Sequence, residues 1–184
     1  MTMTRFVALF RGINVGKAKR IAMADLRALL GKLGYTDVQT LLNSGNAVFG
    51  AEEGKPAEHA ARIRAAVAKK LGVDASVVVK SERDIAAIIK GNAIDEGAAD
   101  ASRFLVAVWD DPAIMAGLES FARADWTPEK VHVNKHAAYL WCANGILESR
   151  AVGGFFKATK NLGTTRNWAT LNKIHALMRG ADGR

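Results

Sequence analysis

The sequence of 184 residues contains a single cysteine, Cys142, and no long apolar run. One cysteine excludes an internal disulfide bond and is typical of a reducing compartment. The longest apolar runs span only a few residues, as in Phe6–Phe10, whereas a membrane-spanning helix needs about 20 apolar residues. The first five residues pass directly into this run and lack the length and cleavage site of a secretory signal. We therefore expect a cytoplasmic protein without a membrane segment.

Acidic residues are almost absent from two segments that lie far apart in the sequence. Residues 1–35 contain seven Lys/Arg and one acid, Asp25, and residues 149–180 contain six Lys/Arg and no acid. Each segment carries +6, whereas the whole chain has a formal net charge of +8. Two interpretations fit this pattern equally well. One is a solvated basic face, and the other is an anion site where the two segments meet.

Apolar periodicity predicts alternating strands and helices in the first part of the chain. The predicted elements are a strand at 5–10, a helix at 23–33, a hairpin at 38–42 and 47–49, a helix at 57–71 and a strand at 76–80. This β-α-β-β-α-β order is that of a ferredoxin-like unit. Because the first strand is apolar at every position, we expect it to be buried on both faces. This argues against an open RNA-binding sheet, which displays aromatic residues on an exposed face.

The pattern restarts after residues 91–102, a segment rich in Gly, Ala and acids that we interpret as a linker. A capping box at Ser81–Asp84 begins a helix before it. The second set comprises a strand at 103–109, a helix with Pro112 at its first position, a hairpin at 131–133 and 138–141, an irregular stretch at 143–165 and a helix at 166–178. The sequence predicts an α+β fold of two packed, related halves. Residues 1–90 form the ferredoxin-like half, and residues 103–184 form a strand-helix-hairpin-helix half.

The first candidate site is the glycine-containing stretch Arg11–Lys17, between the first strand and the first helix. Gly12 and Gly16 let the backbone turn sharply and bring amide groups close to a ligand, and the helix N-terminus beyond adds partial positive charge. It is not a Walker A loop, because Ala18 replaces the Ser/Thr that holds magnesium. A glycine-rich connection without a ligand is the other interpretation.

The second candidate is the hairpin turn Asn43–Asn46, whose residue types are also those that such turns require. In a ferredoxin-like unit, the exit loop of the first strand and this turn lie at the same end of the sheet. We therefore expect Arg11–Lys17 and Asn43–Asn46 to be neighbours.

The third candidate is Thr164–Thr170, with threonines suited to a helix N-cap. Helical spacing places Trp168 on the apolar side of the last helix. The same spacing places Arg166, Thr170 and Lys173 on the opposite side, where they either face solvent or serve the site.

Other chemistry has little support in the sequence. The four histidines, His59, His132, His136 and His175, are scattered without further ligands at metal spacing, so we expect no metal site and no cofactor. Ser44 has no partner base for nucleophilic catalysis. Cys142 ends an apolar strand and is interpreted as a small buried hydrophobe.

Three stretches carry a specific pattern of residues. They are Phe10–Gly16 followed by Met23–Arg27, the hairpin segment Ser44–Phe49, and Thr164–Thr170. Together they resemble the bacterial family known as domain of unknown function 1697, and the similarity runs from Phe6 to about Met178. Minor departures are Phe10 in place of the usual Leu and a single glycine before Lys17. The resemblance implies a two-part α+β fold of ferredoxin-like character and no established activity.

The leading hypothesis is a site for an anionic, phosphate-bearing ligand such as a small molecule or a nucleotide. Its expected residues are Arg11, Gly12, Asn14, Gly16, Lys17, Ser44, Gly45, Asn46, Arg166 and Asn167. The second hypothesis is an enzyme acting on a phosphorylated small molecule, with the arginines stabilising charge. The third is a structural or partner-binding module in which these residues only pack the halves together. Weak, non-specific nucleic-acid binding is also expected, and the oligomeric state is open, with a monomer compatible with the sequence.

Overall fold

The computed structural model describes residues 3–52 and 54–180. The contacts between residues divide them into two units, residues 3–85 with 174–180, and residues 86–173. Helix α3 (Glu82–Lys90) and helix α7 (Trp168–Arg179) each cross a boundary between the units. The segment 91–102, expected to be a linker, contains a short helix α4 (Glu96–Ala99) and falls within the second unit.

The first unit contains a four-stranded antiparallel sheet covered by two helices. Its elements are β1 (Thr4–Arg11), α1 (Met23–Lys32), β2 (Thr36–Leu41), β3 (Asn46–Ala51), α2 (Pro56–Leu71) and β4 (Ser76–Ser81). The strand order is β2-β3-β1-β4, and each neighbouring pair is antiparallel. Because β3 lies between β1 and β2, these two strands run parallel to each other. The predicted ferredoxin-like β-α-β-β-α-β unit is therefore confirmed.

The core of this unit explains why β1 is apolar at successive positions. Phe6 and Phe10 belong to the cluster that also contains Leu26 of α1 and Ile63 of α2. Val7 and the other residues between these positions are also fully buried. Side chains alternate across a strand, so β1 is buried on both faces, as predicted.

The capping box predicted before α3 is present. The N–H of Asp84 donates to Ser81 Oγ at 3.2 Å, and the N–H of Ser81 donates to Asp84 Oδ2 at 2.9 Å. Each side chain thus satisfies a backbone donor that the first turn of a helix leaves without an intrahelical partner. This local signal fixes the start of α3 at Glu82.

The second unit repeats the topology of the first. Its main elements are β5 (Phe104–Val108), α5 (Ile114–Arg123), β6 (Lys130–Val133), β7 (Ala138–Trp141), α6 (Arg150–Ala158) and β8 (Thr164–Asn167). The sheet order is β6-β7-β5-β8, again with antiparallel neighbours. The central strand β5 corresponds to β1 and is buried at every position. The predicted relation between the halves therefore holds at the level of topology.

The expected irregular stretch at 143–165 is wrong, because it contains α6 and the start of β8. The sequence does not predict α6, because the helix contains two consecutive glycines and glycine disfavours a helix interior. Gly154 packs against Trp126, and a Cβ built at Gly154 would lie 2.3 Å from the indole. The helix thus forms through a close tertiary contact that requires glycine.

Two helix starts also differ from prediction. Helix α5 begins at Ile114, because Asp111 and Pro112 form a turn in which Asp111 Oδ1 accepts the N–H of Ala113 at 2.9 Å. Helix α7 begins at Trp168, because Arg166 and Asn167 extend along β5 as part of β8. In both places a hydrogen-bonded alternative replaces the first helical turn.

Cys142 is buried in the core of the second unit, as predicted. Burial raises the pKa of the Cys142 thiol above its ordinary value, and the charge of Glu129 acts in the same direction. The thiolate is the reactive form of cysteine. We therefore expect a thiol reagent at pH 8 to modify the native protein at least about 100-fold more slowly than the urea-unfolded chain. In the native protein, the reagent reaches Cys142 only after local unfolding, which costs free energy.

The raised pKa of the thiol also makes the free energy of unfolding depend on pH. The contribution of this thiol to the free energy of unfolding is present below its unfolded pKa of about 8.5 and is lost as the pH rises through the higher native value. A spectrophotometric thiol assay, run in native buffer and in unfolding buffer, measures the two rates at which the reagent modifies Cys142. Rapid stoichiometric modification of the native protein would show that Cys142 is accessible.

Candidate functional site

The loop after β1 has an unusual backbone. Gly12, Asn14 and Gly16 have φ angles of +70°, +55° and +65°, and Lys19 has φ of +50°. Glycine adopts this left-handed region freely, and asparagine is among the few other residues that visit it. The N–H of Asn14 donates to the carbonyl of Lys19 at 3.0 Å. The loop therefore turns back on itself before α1 begins.

The side chain of Asn14 joins this loop to the hairpin turn. Its Oδ1 accepts the N–H of Ile21 at 2.8 Å, and its Nδ2 donates to the carbonyls of Ile21 and Asn43, each at 2.8 Å. One side chain thus makes three hydrogen bonds to backbone groups of two segments. The predicted proximity of Arg11–Lys17 and Asn43–Asn46 is confirmed.

The hairpin turn packs closely under the loop. The N–H of Phe10 donates to the carbonyl of Gly45 at 2.9 Å. Gly45 is buried with φ of +89°, and a Cβ there would lie 2.6 Å from Ile13 Cδ1 and 2.7 Å from Phe10 Cβ. Asn46 is fully buried, and its Nδ2 donates to the carbonyl of Leu41 at 2.7 Å and to Ser44 Oγ at 3.3 Å. Gly45 and Asn46 therefore hold the shape of the turn.

Positive charge is concentrated on the exposed part of the loop. Residues 11–20, which we call the basic loop, carry Arg11, Lys17, Lys19 and Arg20 and contain no acid. Arg11 is half-buried at the end of β1, whereas the other three cations are exposed. The pKa of Asp74 lies below its ordinary value, mainly because Asp74 is hydrogen-bonded to Arg64, with a smaller effect of Lys19.

Arg166 and Asn167 belong to the second unit, in β8 rather than on the last helix. Arg166 is buried, so its expected position on a solvent-facing side with Lys173 is wrong. Its Nη1 donates to Thr164 Oγ1 at 3.0 Å and to the carbonyl of Thr165 at 2.8 Å, and burial lowers its pKa to about 10. Asn167 Oδ1 accepts the N–H of Thr170 at 2.8 Å, so Asn167 caps α7 in place of the threonines. Their contribution to the site around Arg11 stays a prediction.

A polar cluster that the sequence did not reveal lines a cavity of about 270 Å³ in the first unit. The Tyr35 hydroxyl lies 2.9 Å from His59 Nδ1, and the Arg62 guanidinium lies 5.4 Å from the centre of the Tyr35 ring. Burial raises the pKa of Tyr35 above its ordinary value, and Arg62 partly offsets this effect. These residues carry no motif, and only the fold brings Tyr35 and His59 together. Their pattern in the sequence could not have identified the cluster.

The described residues 3–52 and 54–180 contain neither a cluster of metal-ligating side chains nor a helix able to span a membrane. Within these ranges no group of three or more His, Cys, Asp or Glu is placed to hold a metal ion. Over the same residues, the helices lack the length and apolar character needed to cross a bilayer.

Comparison with known families gives a match over most of the sequence. Residues 3–139 match the family described as "Protein of unknown function (DUF1697)". The chain belongs to the DUF1697 family. This family match covers the basic loop and the hairpin turn but ends before β8. A comparison with curated protein sequences finds no match.

A solved structure shows the same fold as this DUF1697 chain. It is described as the structure of conserved bacterial protein SP0830 from Streptococcus pneumoniae. The two chains are 22% identical, the TM-score is 0.76, and the match covers 97% of this chain and 100% of the other. At this identity, the similarity establishes the fold alone.

Proposed function

We propose that the basic loop and the hairpin turn bind an anionic, phosphate-bearing ligand. The observation that carries the proposal is the triple hydrogen bond of Asn14, which holds an exposed, acid-free loop against the turn. The exposed cations Lys17, Lys19 and Arg20 are thereby carried on a backbone of defined shape, next to the half-buried Arg11. Pre-ordering of this kind reduces the entropy that binding costs.

We assign different roles to the expected site residues. Asn14 and Asn46 use their side chains in hydrogen bonds within the loop and turn, so we assign them to holding the shape of the site. Lys17 and Ser44 are exposed and are assigned to contact with the ligand, together with Arg11. Charge-assisted hydrogen bonds from Arg and Lys to phosphate oxygens supply most of the affinity in such a site.

An enzyme acting on a phosphorylated molecule remains the alternative, but no observation favours it. Residues 11–24 and 42–46 contain no carboxylate and no imidazole, so neither segment supplies a general base. A purely structural role is the other alternative, and the internal hydrogen bonds of Asn14 and Asn46 are compatible with it. Ligand titration separates these readings.

We expect Arg11→Ala to weaken the binding of inorganic pyrophosphate by about 10- to 100-fold. This corresponds to about 1.5–3 kcal/mol, the usual value of a hydrogen bond to a charged group. Isothermal titration calorimetry measures the affinity, and thermal unfolding measures stability, which should change less. Lys135→Ala is the matched control, because Lys135 is an exposed cation of the second unit in a hairpin turn.

Two results would contradict the proposal. One is an Arg11→Ala protein that binds pyrophosphate as tightly as the wild type, and the other is an Arg11→Ala protein that fails to fold, which would make the residue structural.

A single-stranded oligonucleotide should bind weakly and lose its affinity as salt rises. Tight, sequence-selective binding at physiological salt would instead indicate a nucleic-acid-binding protein.

A further inference from the structure

A second feature of the first unit is a groove of about 550 Å³ between α1 and α2. It is lined by residues of both helices and does not include the basic loop. The apolar part of its lining, which we call the floor, consists of Ala28, Leu29, Leu33, Ala66 and Leu71. Leu33, Ala66 and Leu71 are only partly buried and pack against the main core cluster. The floor is thus an exposed edge of the core.

The rim of the groove is mostly positive. Lys32, Lys69 and Lys70 line it, together with one acid, Asp25. All three lysines are exposed, and in the described part of the chain none of them forms an ion pair. They lie in the last turns of α1 and α2, where a cation also complements the helix dipole. The dipole accounts for lysines at helix ends but does not require an apolar floor beside them.

We propose that this groove binds a small anionic amphiphile of the fatty-acid type. The apolar chain lies on the floor made by the leucines and alanines, and the carboxylate lies among the rim lysines. The volume falls in the range of small-molecule sites, about 300–1,000 Å³. The charge of the rim favours an anion over a neutral or cationic head group. The groove is separate from the basic loop, so this site does not depend on the function proposed above.

The chain length of the ligand tests the role of the apolar floor, and the charge of its head group tests the role of the rim lysines. Amide chemical shifts of the ¹⁵N-labelled protein are followed while hexanoate, octanoate or decanoate is added below the concentration at which micelles form. We expect shifts confined to α1 and the second half of α2. Affinity should rise about twofold for each added methylene, roughly half the gain expected for complete burial. Decyltrimethylammonium, with the same chain and the opposite charge, should bind at least about fivefold more weakly than decanoate.

Variants separate the groove from the rest of the surface. The double variant Lys69→Ala/Lys70→Ala should lower decanoate affinity about three- to tenfold, the loss expected for two exposed ion pairs. The matched control Lys17→Ala/Lys19→Ala removes two cations from the basic loop and should leave decanoate affinity unchanged. Ala28→Glu adds a negative charge on an exposed floor position of α1 and should abolish binding while the helix stays folded, since Glu is a good helix former.

Several outcomes would overturn the proposal. Equal affinity for decanoate and decyltrimethylammonium would show that the charge of the rim has no role. Shifts centred outside α1 and α2, or equal effects of the two double variants, would place the site elsewhere. Absence of decanoate binding, with or without binding of an acidic amphipathic peptide, would exclude a small-molecule site. If the lysine variants lose helical structure, the Ala28→Glu protein still decides the matter.

Discussion

Gly45→Ala is expected to lower the free energy of unfolding by about 3 kcal/mol or more. Two costs combine at this position. The φ angle of +89° is unfavourable for any residue with a Cβ, and such strain costs about 1–2 kcal/mol. The new methyl group would also lie 2.7 Å from Phe10 Cβ, and overpacking of a close-packed site adds about 1–3 kcal/mol. The Ile13 Cδ1 methyl can rotate away, but Phe10 Cβ is fixed by the backbone of β1.

The matched control is Gly16→Ala in the basic loop. Gly16 has a similar φ of +65°, but a Cβ there meets nothing within 4 Å. This variant should therefore show only the backbone cost of about 1 kcal/mol. Urea unfolding followed by circular dichroism measures both changes. Equal destabilisation by the two substitutions would mean that Gly45 is required for its backbone angle alone and that the loop does not pack on the turn.

Asn14→Ala is expected to lower the free energy of unfolding by about 2–4 kcal/mol. The substitution removes three hydrogen bonds, each with a net value of about 0.5–1.5 kcal/mol. It leaves the N–H of Ile21 and the carbonyls of Ile21 and Asn43 without this partner. Alanine is also strained at φ of +55°, which asparagine tolerates better. The loop should then separate from the hairpin turn.

Asn14→Gly separates the two contributions in this variant. Glycine accepts the positive φ without strain but cannot form the hydrogen bonds. We expect Asn14→Gly to be about 1 kcal/mol more stable than Asn14→Ala and still clearly less stable than the wild type. Pyrophosphate affinity should fall in both variants, because the cations are no longer held in one arrangement. Wild-type stability and affinity in Asn14→Gly would refute the role assigned to this side chain.

The parts of the fold that the sequence predicts correctly depend on local chemistry. Apolar residues at successive positions predict β1, and the spacing of Ser81 and Asp84 predicts the cap of α3. Asn and Gly between two apolar runs predict the hairpin turn. Each of these signals spans only a few residues. Backbone propensity and the hydrogen bonds of caps and turns act over the same short sequence distance, so they agree with the pattern.

The parts that the sequence does not predict depend on tertiary contacts. Helix α6 contains Gly153 and Gly154 and forms against Trp126, which no local pattern reveals. Strand β8 is polar and exists because it pairs with β5, so helical spacing predicts the wrong element for Arg166.

The candidate site shows the same division between local and tertiary information. Topology alone predicts that the loop lies beside the hairpin turn, because both are at one end of the sheet. The sequence could not show that the side-chain amide of Asn14 would join the loop to the hairpin turn, since its partners are backbone groups of Ile21 and Asn43. The sequence also could not identify the Tyr35 and His59 pair, because only the fold brings these two residues together.

The most direct test of the central claim is a titration of the ¹⁵N-labelled protein with inorganic pyrophosphate at physiological salt, followed by amide chemical shifts. Our account predicts saturable changes confined to residues 11–20 and 43–45, and their loss in Arg11→Ala. Changes spread evenly over surface lysines, or no saturable change in the basic loop, would contradict an anion site there.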